Sequence, residues 1–261
     1  MDLKSKIILI SGPTASGKSK FAIQLAKKIN GEVINADSMQ IFKELKILTA
    51  RPQRNDLKNI KHHLYGFKSV KDNYSTGNWL KDAKLKINNI KKKNKIPILV
   101  GGTGLYFKAL IDGIVKIPDV PLTIRNRIRK KQSKIGQTKF YFDLVKLDPL
   151  CKKKINKNDT QRSIRAYEVK KFTNKSLFDW YSETYSDFTQ DDFIKLHIDY
   201  PREKLIERIS LRTNEMLRDG AIKEAKRFYK LRVKKDLSSN KVIGLSEIEE
   251  YLNKRIDLSE L

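Results

Sequence analysis

Residues Gly12-Pro13-Thr14-Ala15-Ser16-Gly17-Lys18-Ser19 form the stretch that decides the fold of this 261-residue chain. They match the pattern G-x-x-x-x-G-K-[ST], and they lie between an apolar run at residues 7–10 and a helical pattern. In that context the pattern predicts a phosphate-binding loop. Its glycines let consecutive backbone N–H groups point at one anion, at the positive end of the following helix. Lys18 adds a charge, and the Ser19 hydroxyl is a candidate Mg²⁺ ligand.

Strand and helix patterns alternate outward from this loop. Apolar runs predict three further strands, at residues 32–36, 96–100 and 193–198. The helix after the loop carries Phe21, Leu25 and Ile29 on its apolar side, with Ala22 and Ala26 beside them, and is predicted to end at Gly31. This alternation predicts an α/β fold, a phosphate-loop NTPase-like parallel sheet flanked by helices.

Strand signals become sparse after about Pro118, where basic helical patterns take over. We therefore predict a mostly helical inserted subdomain at residues 118–190. Residues 1–117 and 191–261 are predicted to form the phosphate-loop catalytic core.

Two further loops follow predicted strands, at residues 37–40 and 101–104. Ligands of such sheets bind beyond the carboxyl ends of the strands, so the three loops are predicted to share one pocket. Asp37 fits a carboxylate that orients an acceptor or holds Mg²⁺ through water, and it equally fits a turn or N-cap residue. Thr103 fits a pocket residue or a helix cap.

The charge of the chain favours a polyanionic partner. Lys and Arg number 56 against 30 Asp and Glu, which gives a formal net charge of +26. A nucleic-acid-binding protein gains affinity and association rate from such a surplus. Lys, Asn and Ile are frequent throughout, so general compositional drift accounts for part of it.

Cysteine and histidine usage indicates a reducing compartment. Cys151 is the only cysteine, which rules out an intrachain disulfide, and no Cys/His cluster has zinc-ligand spacing. His62 and His63 are interpreted as structural. No apolar run approaches the length of a membrane span or a secretory signal, so we expect a cytoplasmic protein without membrane association.

Arginines in the predicted insertion are candidate nucleic-acid ligands. Arg162 and Arg165 are three apart on a helix that Asp159 can cap, and their forked guanidinium groups suit phosphates or base edges. The alternating run around Arg125 fits a solvated helix face equally well.

Taken together, the motifs resemble one family, the tRNA dimethylallyltransferases, also called tRNA isopentenyltransferases. The matching elements occur in the family's order and spacing over roughly residues 7–247: Gly12-Pro13-Thr14-Ala15-Ser16-Gly17-Lys18-Ser19, Asp37-Ser38-Met39-Gln40, Thr49-Ala50-Arg51-Pro52, His62-His63-Leu64, Val100-Gly101-Gly102-Thr103-Gly104-Leu105-Tyr106, Asn158-Asp159-Thr160-Gln161-Arg162 with Arg165, and Met216-Leu217 before Gly220.

The resemblance implies transfer of a dimethylallyl group from dimethylallyl diphosphate to N6 of the adenosine 3′ of the anticodon. The tRNAs concerned read codons that start with U, and the insertion would grip the anticodon stem-loop. Residues 12–19 would bind the diphosphate, with Ser19 holding Mg²⁺. Asp37 would be the general base, and Thr14, Lys18 and Arg125 would complete the catalytic set. The implied tRNA contacts are Asp37, Ser38, Met39, Gln40, Thr103, Arg125, Gln161, Arg162, Ser163, Ile164 and Arg165. We expect a monomer.

This sequence departs from the family pattern in three respects. Leu48 stands where glycine is usual, and Leu245-Ser246 replaces a common aromatic-basic pair. The family's basic helix near its C-terminal end has no counterpart within these residues, which leaves open a continuation beyond Leu261.

Two other classes remain as alternatives. A small-molecule or nucleotide kinase would use ATP on the same loop, with the insertion as an arginine-rich lid. A non-catalytic RNA-binding protein would carry a relic loop, although intact Lys18, Ser19 and Asp37 argue against it.

Overall fold

The structure is a computed structural model that describes residues 3–52, 57 and 60–261. The chain divides into two compact units, one formed by Met1–Ile111 with Phe188–Leu261 and the other by Asp112–Asp187. The predicted boundaries of the insertion were 118 and 190.

The first unit is built on a five-stranded sheet. Its strands are β1 (Ile7–Ser11), β2 (Gly31–Asn35), β3 (His62–His63), β4 (Ile96–Val100) and β5 (Phe193–His197). They are arranged in the order β3-β2-β4-β1-β5, and every pair is parallel. β1, β2 and β4 are almost wholly buried, as expected for parallel strands covered on both faces. The predicted parallel α/β fold is confirmed.

Ten helices accompany the sheet in the described part of the chain. They are α1 (Lys18–Lys28), α2 (Thr76–Lys91), α3 (Gly104–Asp112), α4 (Leu122–Leu147), α5 (Cys151–Lys154), α6 (Thr160–Thr173), α7 (Leu177–Tyr181), α8 (Arg202–Arg218), α9 (Ala221–Lys230) and α10 (Leu245–Leu252). Two short 3-10 helices lie at Gln190–Asp192 and Ser238–Lys241. None of the helices in these described ranges combines the length and the apolar character needed to cross a membrane.

Two details of α1 differ from the prediction. Leu25 and Ile29 pack against the core beside buried Ala22 and Ala26, as predicted, but Phe21 is 40% exposed. Alanine side chains face the strands because α1 lies so close to the sheet that larger side chains would not fit between them. The left-handed residue after the helix is Asn30, with φ of 55°, so Gly31 does not close it and instead begins β2. A Cβ on Gly31 would lie 2.7 Å from Ile98 Cδ1, which explains the glycine by packing between neighbouring strands.

The second unit is helical. Its core joins α4 and α6 with α5 and α7 through Tyr141, Leu144, Cys151 and Val169, all buried. Gly136 interrupts α4 with a φ of 77°, so the basic helical pattern around Arg125 belongs to the first of two helical segments joined by a kink. Cys151 is buried, and burial raises the pKa of its thiol to about 12, which leaves it unreactive.

Candidate active site

The loop at residues 12–19 joins β1 to α1 and has the backbone that the motif requires. Gly12 has a φ of 150°, and a Cβ there would lie 2.7 Å from the carbonyl oxygen of Ile198. Gly17 takes the left-handed conformation as N-cap of α1. Any other residue would be strained at either position, which explains why the motif has glycine there.

Lys18 and Ser16 present polar groups at this loop. Lys18 Nζ donates a hydrogen bond to the carbonyl of Pro13 at 2.6 Å. Burial lowers the pKa of Lys18, the carboxylate of Asp37 opposes that shift, and the charge of Arg212 adds to it. Ser16 Oγ is buried without a hydrogen-bond partner in the described part of the chain. An anion in the loop would satisfy such a group.

The turn after β2 holds the Asp37 carboxylate. Its Oδ1 accepts hydrogen bonds from the backbone N–H groups of Met39, at 2.9 Å, and Gln40, at 3.4 Å. Oδ2 lies about a van der Waals distance, 4.0 Å, from the position that a Cβ on Gly102 would take. The sequence left open a turn residue and a functional carboxylate. Oδ1 organises the turn, so the turn role is observed. Oδ2 faces the third loop, and its functional role stays a prediction.

Asn35 fixes the backbone of Asp37. Its side chain accepts from the N–H of Asp37 and donates to the carbonyl of the same residue, both at 2.9 Å. It also donates to the carbonyl of Leu64 at 3.0 Å, and the Asn35 carbonyl accepts from Trp79 Nε1. All of these groups are buried or half-buried, so the acid is held by a fully bonded polar network. The His-His-Leu element contributes Leu64 to that network.

The loop after β4 packs directly on the Asp37 turn. A Cβ on Gly101 would lie 2.1 Å from the carbonyl oxygen of Ala36, so glycine is needed for two backbone segments to meet. Thr103 N–H donates to that carbonyl, and the Thr103 hydroxyl accepts from Ser38 N–H at 2.9 Å. The side chain of Thr103 is thus bonded to the Asp37 turn rather than capping α3. The loops after β2 and β4 meet, as the sequence predicted.

Two tyrosines that were not predicted as site residues lie within electrostatic range of the acid: Tyr65, and Tyr106 at the end of the quoted Gly-Gly-Thr motif. Burial raises the pKa of Tyr65 and of Tyr106, and the charge of Asp37 raises both further. Tyr106 stacks on Trp79 with ring centroids 4.2 Å apart.

Arg208 and Arg212 of α8 were also missed. Arg208 Nη2 is 3.9 Å from the position of a Cβ on Gly17, and its guanidinium lies over the ring of Tyr200. Burial lowers the pKa of Arg212, and neighbouring Arg208 lowers it further. The two arginines are one turn apart, so both face the phosphate loop. That spacing was the available signal. On the same helix Leu205 is buried and Ile209 is 39% exposed.

The predicted contacts on α6 belong to the second unit and differ among themselves. Gln161 and Arg162 are exposed, and Arg162 donates to Asp159, whose side chain caps the helix as predicted. Ile164 is half-buried. Ser163 is fully buried and bonded to Gln137 at 3.1 Å, so its side chain faces the interior between α4 and α6.

Arg125 and Arg165 form a charged cluster in the same unit. Burial lowers the pKa of Arg165, Glu168 opposes the shift, and Arg125 adds to it. Glu168 is buried, with its carboxylate 3.9 Å from Arg165 and 3.6 Å from Arg129. Arg125 Nε is buried without a hydrogen-bond partner among the described residues. This crowding of cations favours an anionic ligand.

The histidine pair is structural, as predicted. His62 and His63 form β3, and His63 Nε2 lies 2.7 Å from the carboxylate of Glu32, which also binds Lys95 at 3.1 Å. Within the part of the chain that the structure describes, no three His, Cys, Asp or Glu side chains are grouped to hold a metal ion.

Comparisons with known proteins decide the family. The family described as "IPP transferase" matches residues 40–261. This chain belongs to the IPP transferase family. The family prediction made from the motifs is thereby confirmed.

Individual relatives agree with that assignment. A tRNA dimethylallyltransferase of Pelagibacter ubique (strain HTCC1062) is 62% identical over 260 residues, which are 100% of this chain and 83% of the relative. One from Rickettsia massiliae (strain Mtu5) is 42% identical over 98% of this chain and 71% of its own length.

Solved structures of the family are similar as well. A eukaryotic dimethylallyltransferase acting on tRNA has a TM-score of 0.82 at 30% identity, covering 96% of this chain and 64% of that one. A tRNA isopentenylpyrophosphate transferase from Bacillus halodurans has a TM-score of 0.66 at 32% identity, covering 98% of this chain and 80% of that one.

Proposed function

We propose that this IPP transferase moves a dimethylallyl group from dimethylallyl diphosphate to N6 of the adenosine 3′ of a tRNA anticodon. The observation that supports the proposal is that the loop after β4 lies beside both β1 and the acid. Gly101 N–H bonds to the carbonyl of Ile10 at 3.2 Å, and the Asp37 carboxylate faces Gly102. The charge of Asp37 also acts on Lys18 of the phosphate loop. An acid that can take a proton and a loop that can hold a leaving diphosphate would then share one site.

The diphosphate would bind at residues 12–19. Backbone N–H groups of the loop, the N-terminal end of α1 and the side chain of Lys18 all favour an anion there. Arg208 and Arg212 add charge from α8. These groups stabilise negative charge where it develops as the allylic C–O bond breaks, which is the most effective form of electrostatic catalysis.

The transfer balances without any further reactant. The N6 lone pair forms a bond to C1 of the allyl group while the C1–O bond breaks, and diphosphate leaves with that electron pair. The N6 proton passes to the Asp37 carboxylate. An adenine amine is a weak nucleophile because its lone pair is delocalised, so a positioned base contributes about 10²–10⁴ in rate. The adenine must leave its stack to reach the acid, as in other enzymes that modify bases.

The donor set at the loop fits magnesium. Mg²⁺ takes one or two protein oxygens and completes its shell with phosphate oxygens and water, so the Ser19 hydroxyl suffices on the protein side. When bound, the ion would neutralise charge on the diphosphate.

The tRNA contacts are proposed from the family resemblance. Asp37, Ser38, Met39, Gln40 and Thr103 lie on the two loops that meet at the acid. In the second unit, exposed Arg162 and the Arg125–Arg165 cluster are suited to phosphates. The net charge of +26 supports the same partner.

The test is a transfer assay on RNA. The protein, Mg²⁺ and dimethylallyl diphosphate are mixed with an anticodon stem-loop that carries adenosine 3′ of the anticodon, and the RNA is weighed by mass spectrometry. We expect the addition of one dimethylallyl group and none to the same RNA with guanosine at that position. An unmodified RNA, under conditions in which the Pelagibacter relative modifies it, would refute the proposal. Phosphate transfer from ATP without RNA would indicate the kinase alternative.

A further inference from the structure

Glu224, on the first turn of α9, is a buried carboxylate that accepts hydrogen bonds from backbone N–H groups of a distant loop. Its side chain is 8% exposed. Oε1 accepts from Lys46 N at 2.8 Å and Ile47 N at 2.9 Å, and Oε2 accepts from Ile47 N at 3.0 Å and Leu48 N at 2.9 Å. Three consecutive N–H groups on one anion form a backbone nest.

The nest sets the conformation of the residues that follow it. Ala50 N–H bonds to the carbonyl of Ile47 at 2.8 Å, and Arg51 N–H bonds to that of Lys46 at 3.1 Å. Ala50 has a φ of 48°, an unfavourable conformation for alanine that this tight turn imposes. Without the carboxylate, three converging N–H dipoles would repel one another, so the turn depends on Glu224.

This turn holds the side chain of Gln40. Gln40 Nε2 donates to the carbonyls of Thr49, at 2.9 Å, and Ala50, at 3.1 Å. Both amide hydrogens are therefore engaged, which directs the Oε1 acceptor away from the turn. Gln40 N–H in turn bonds to Asp37 Oδ1 at 3.4 Å, so the residue belongs to the same turn as the acid.

The side chain of Arg51 contacts the backbone of two segments next to Gln40. Its guanidinium donates to the carbonyl of Phe42 at 2.8 Å and lies against Gly66, where a Cβ would meet Arg51 Nη1 at 1.7 Å. Gly66 N–H donates to the Gln40 carbonyl at 2.9 Å. Burial lowers the pKa of Arg51, and the charge of Glu224 opposes that shift. The backbone and the side chain of Gln40 are thus both fixed by the turn that Glu224 organises.

We propose that Glu224 is a positioning residue for RNA recognition, acting through the 46–51 turn on the side chain of Gln40. It touches neither the phosphate loop nor the reacting atoms, so its influence falls on RNA affinity and not on diphosphate binding. This inference rests on the proposed function, because it takes Gln40 as an RNA contact.

The test compares binding of the anticodon stem-loop to the wild-type protein and to Glu224→Gln. The amide keeps the shape but turns an NH₂ group toward the N–H of Ile47 and Leu48. We expect the Kd for the stem-loop to rise on the order of tenfold, the effect of losing one charge-assisted hydrogen bond, while the Kd for dimethylallyl diphosphate stays within about twofold. Glu224→Asp keeps the charge but has a side chain that is shorter by one methylene, so we expect a smaller increase in the Kd for the stem-loop. This variant provides the test if Glu224→Gln does not fold.

A second arm separates positioning from general destabilisation. Glu32→Gln is the matched control, a buried carboxylate at the opposite end of β2 that binds His63 and Lys95. It should lower the Tm without changing either affinity. In a double-mutant cycle, Glu224→Gln added to Gln40→Ala should weaken RNA binding no further, since the two residues act as one unit.

An unchanged stem-loop Kd in Glu224→Gln would overturn the proposal, as would an additive cycle or an equal loss of both affinities. These outcomes are measured by binding alone. A wild-type protein that binds the RNA but transfers no dimethylallyl group would refute the proposed function. The double-mutant cycle of RNA binding would still test the role of Glu224.

Discussion

The hydroxyl of Thr103 accepts a hydrogen bond from the backbone N–H of Ser38 at 2.9 Å, and it lies 3.3 Å from the Ser38 hydroxyl. This contact joins the loop after β4 to the turn that carries Asp37. Two loops that are far apart in sequence therefore behave as one rigid element of the site.

Replacing Thr103 tests that rigidity. Thr103→Ala leaves the Ser38 N–H without its partner, so we expect the free energy of unfolding to fall by about 1–2 kcal/mol. Turnover should fall on the order of tenfold because Asp37 is less well positioned. Thr103→Ser retains the hydroxyl and should retain most of the activity. Equal activity of the alanine and serine variants in steady-state assays would show that the bond does not position the acid.

Replacing Arg212 tests the role of α8 in binding the diphosphate. Arg212→Ala removes a half-buried charge near Lys18, so the KM for dimethylallyl diphosphate should rise by on the order of tenfold to a hundredfold. The KM for the stem-loop should change little. Arg218→Ala, an exposed residue at the end of the same helix, is the control. If both variants raise the KM for dimethylallyl diphosphate equally, the net charge of the protein, and not the position of Arg212, determines the effect.

Replacing Arg162 tests a phosphate contact in the second unit. Its guanidinium is 76% exposed and is held by Asp159 at 2.7 Å. Arg162→Ala should weaken stem-loop binding and reduce the slope of log Kd against log salt by up to about one unit. Lys171→Ala on the same helix controls for general loss of charge. An unchanged affinity in Arg162→Ala would place this arginine among ordinary surface residues.

Stability should depend on pH through the histidine pair. Burial lowers the pKa of His62 and of His63 below the ordinary value of 6.5. As the pH falls below 6.5, the histidines of the unfolded chain take up protons while those of the folded chain do not. The free energy of unfolding is therefore highest above pH 6.5, and it decreases as the pH falls from 6.5 to the lower pKa of the folded state. Burial would raise the pKa of Glu32, but hydrogen bonds from His63 and Lys95 lower it overall, so its own contribution is lost only below 4.5.

Urea unfolding at pH 7.5 and 5.5 measures this effect. The wild-type protein should be less stable at pH 5.5, and His63→Gln should lose less stability between the two values. His197→Gln, at an exposed position, controls for the loss of a histidine. A pH dependence in His63→Gln equal to that of the wild-type protein would show that His63 does not contribute.

Four of the five strands and the phosphate loop were predictable because short-range patterns determine them. The two-residue strand β3, His62–His63, was not predicted. β4 was predicted to the residue, since a run of five apolar residues bounded by Lys95 and Gly101 leaves no other reading. The end of α1 was misplaced because Asn and Gly both tolerate a positive φ, and only packing against Ile98 shows that Gly31 belongs to β2.

The missed site residues are those whose partners are remote in sequence. Arg208 and Arg212 face a loop nearly 200 residues earlier, and Glu224 binds N–H groups 176–178 residues away. A charged residue on an amphipathic helix ordinarily faces solvent, so its pattern alone predicts a surface position. The one-turn spacing of Arg208 and Arg212 places them on one face of a helix, but only the tertiary contacts show which loop that face meets.

The central claim is that Asp37 takes the N6 proton, and a single-turnover experiment on Asp37→Asn tests it most directly. Asparagine keeps an oxygen to accept from Met39 N–H, so the turn should persist and the affinities for stem-loop and dimethylallyl diphosphate should stay within about threefold. The rate of transfer at saturating substrates should fall by about 10²–10⁴. A rate near that of the wild-type protein, with both substrates bound, would contradict the account.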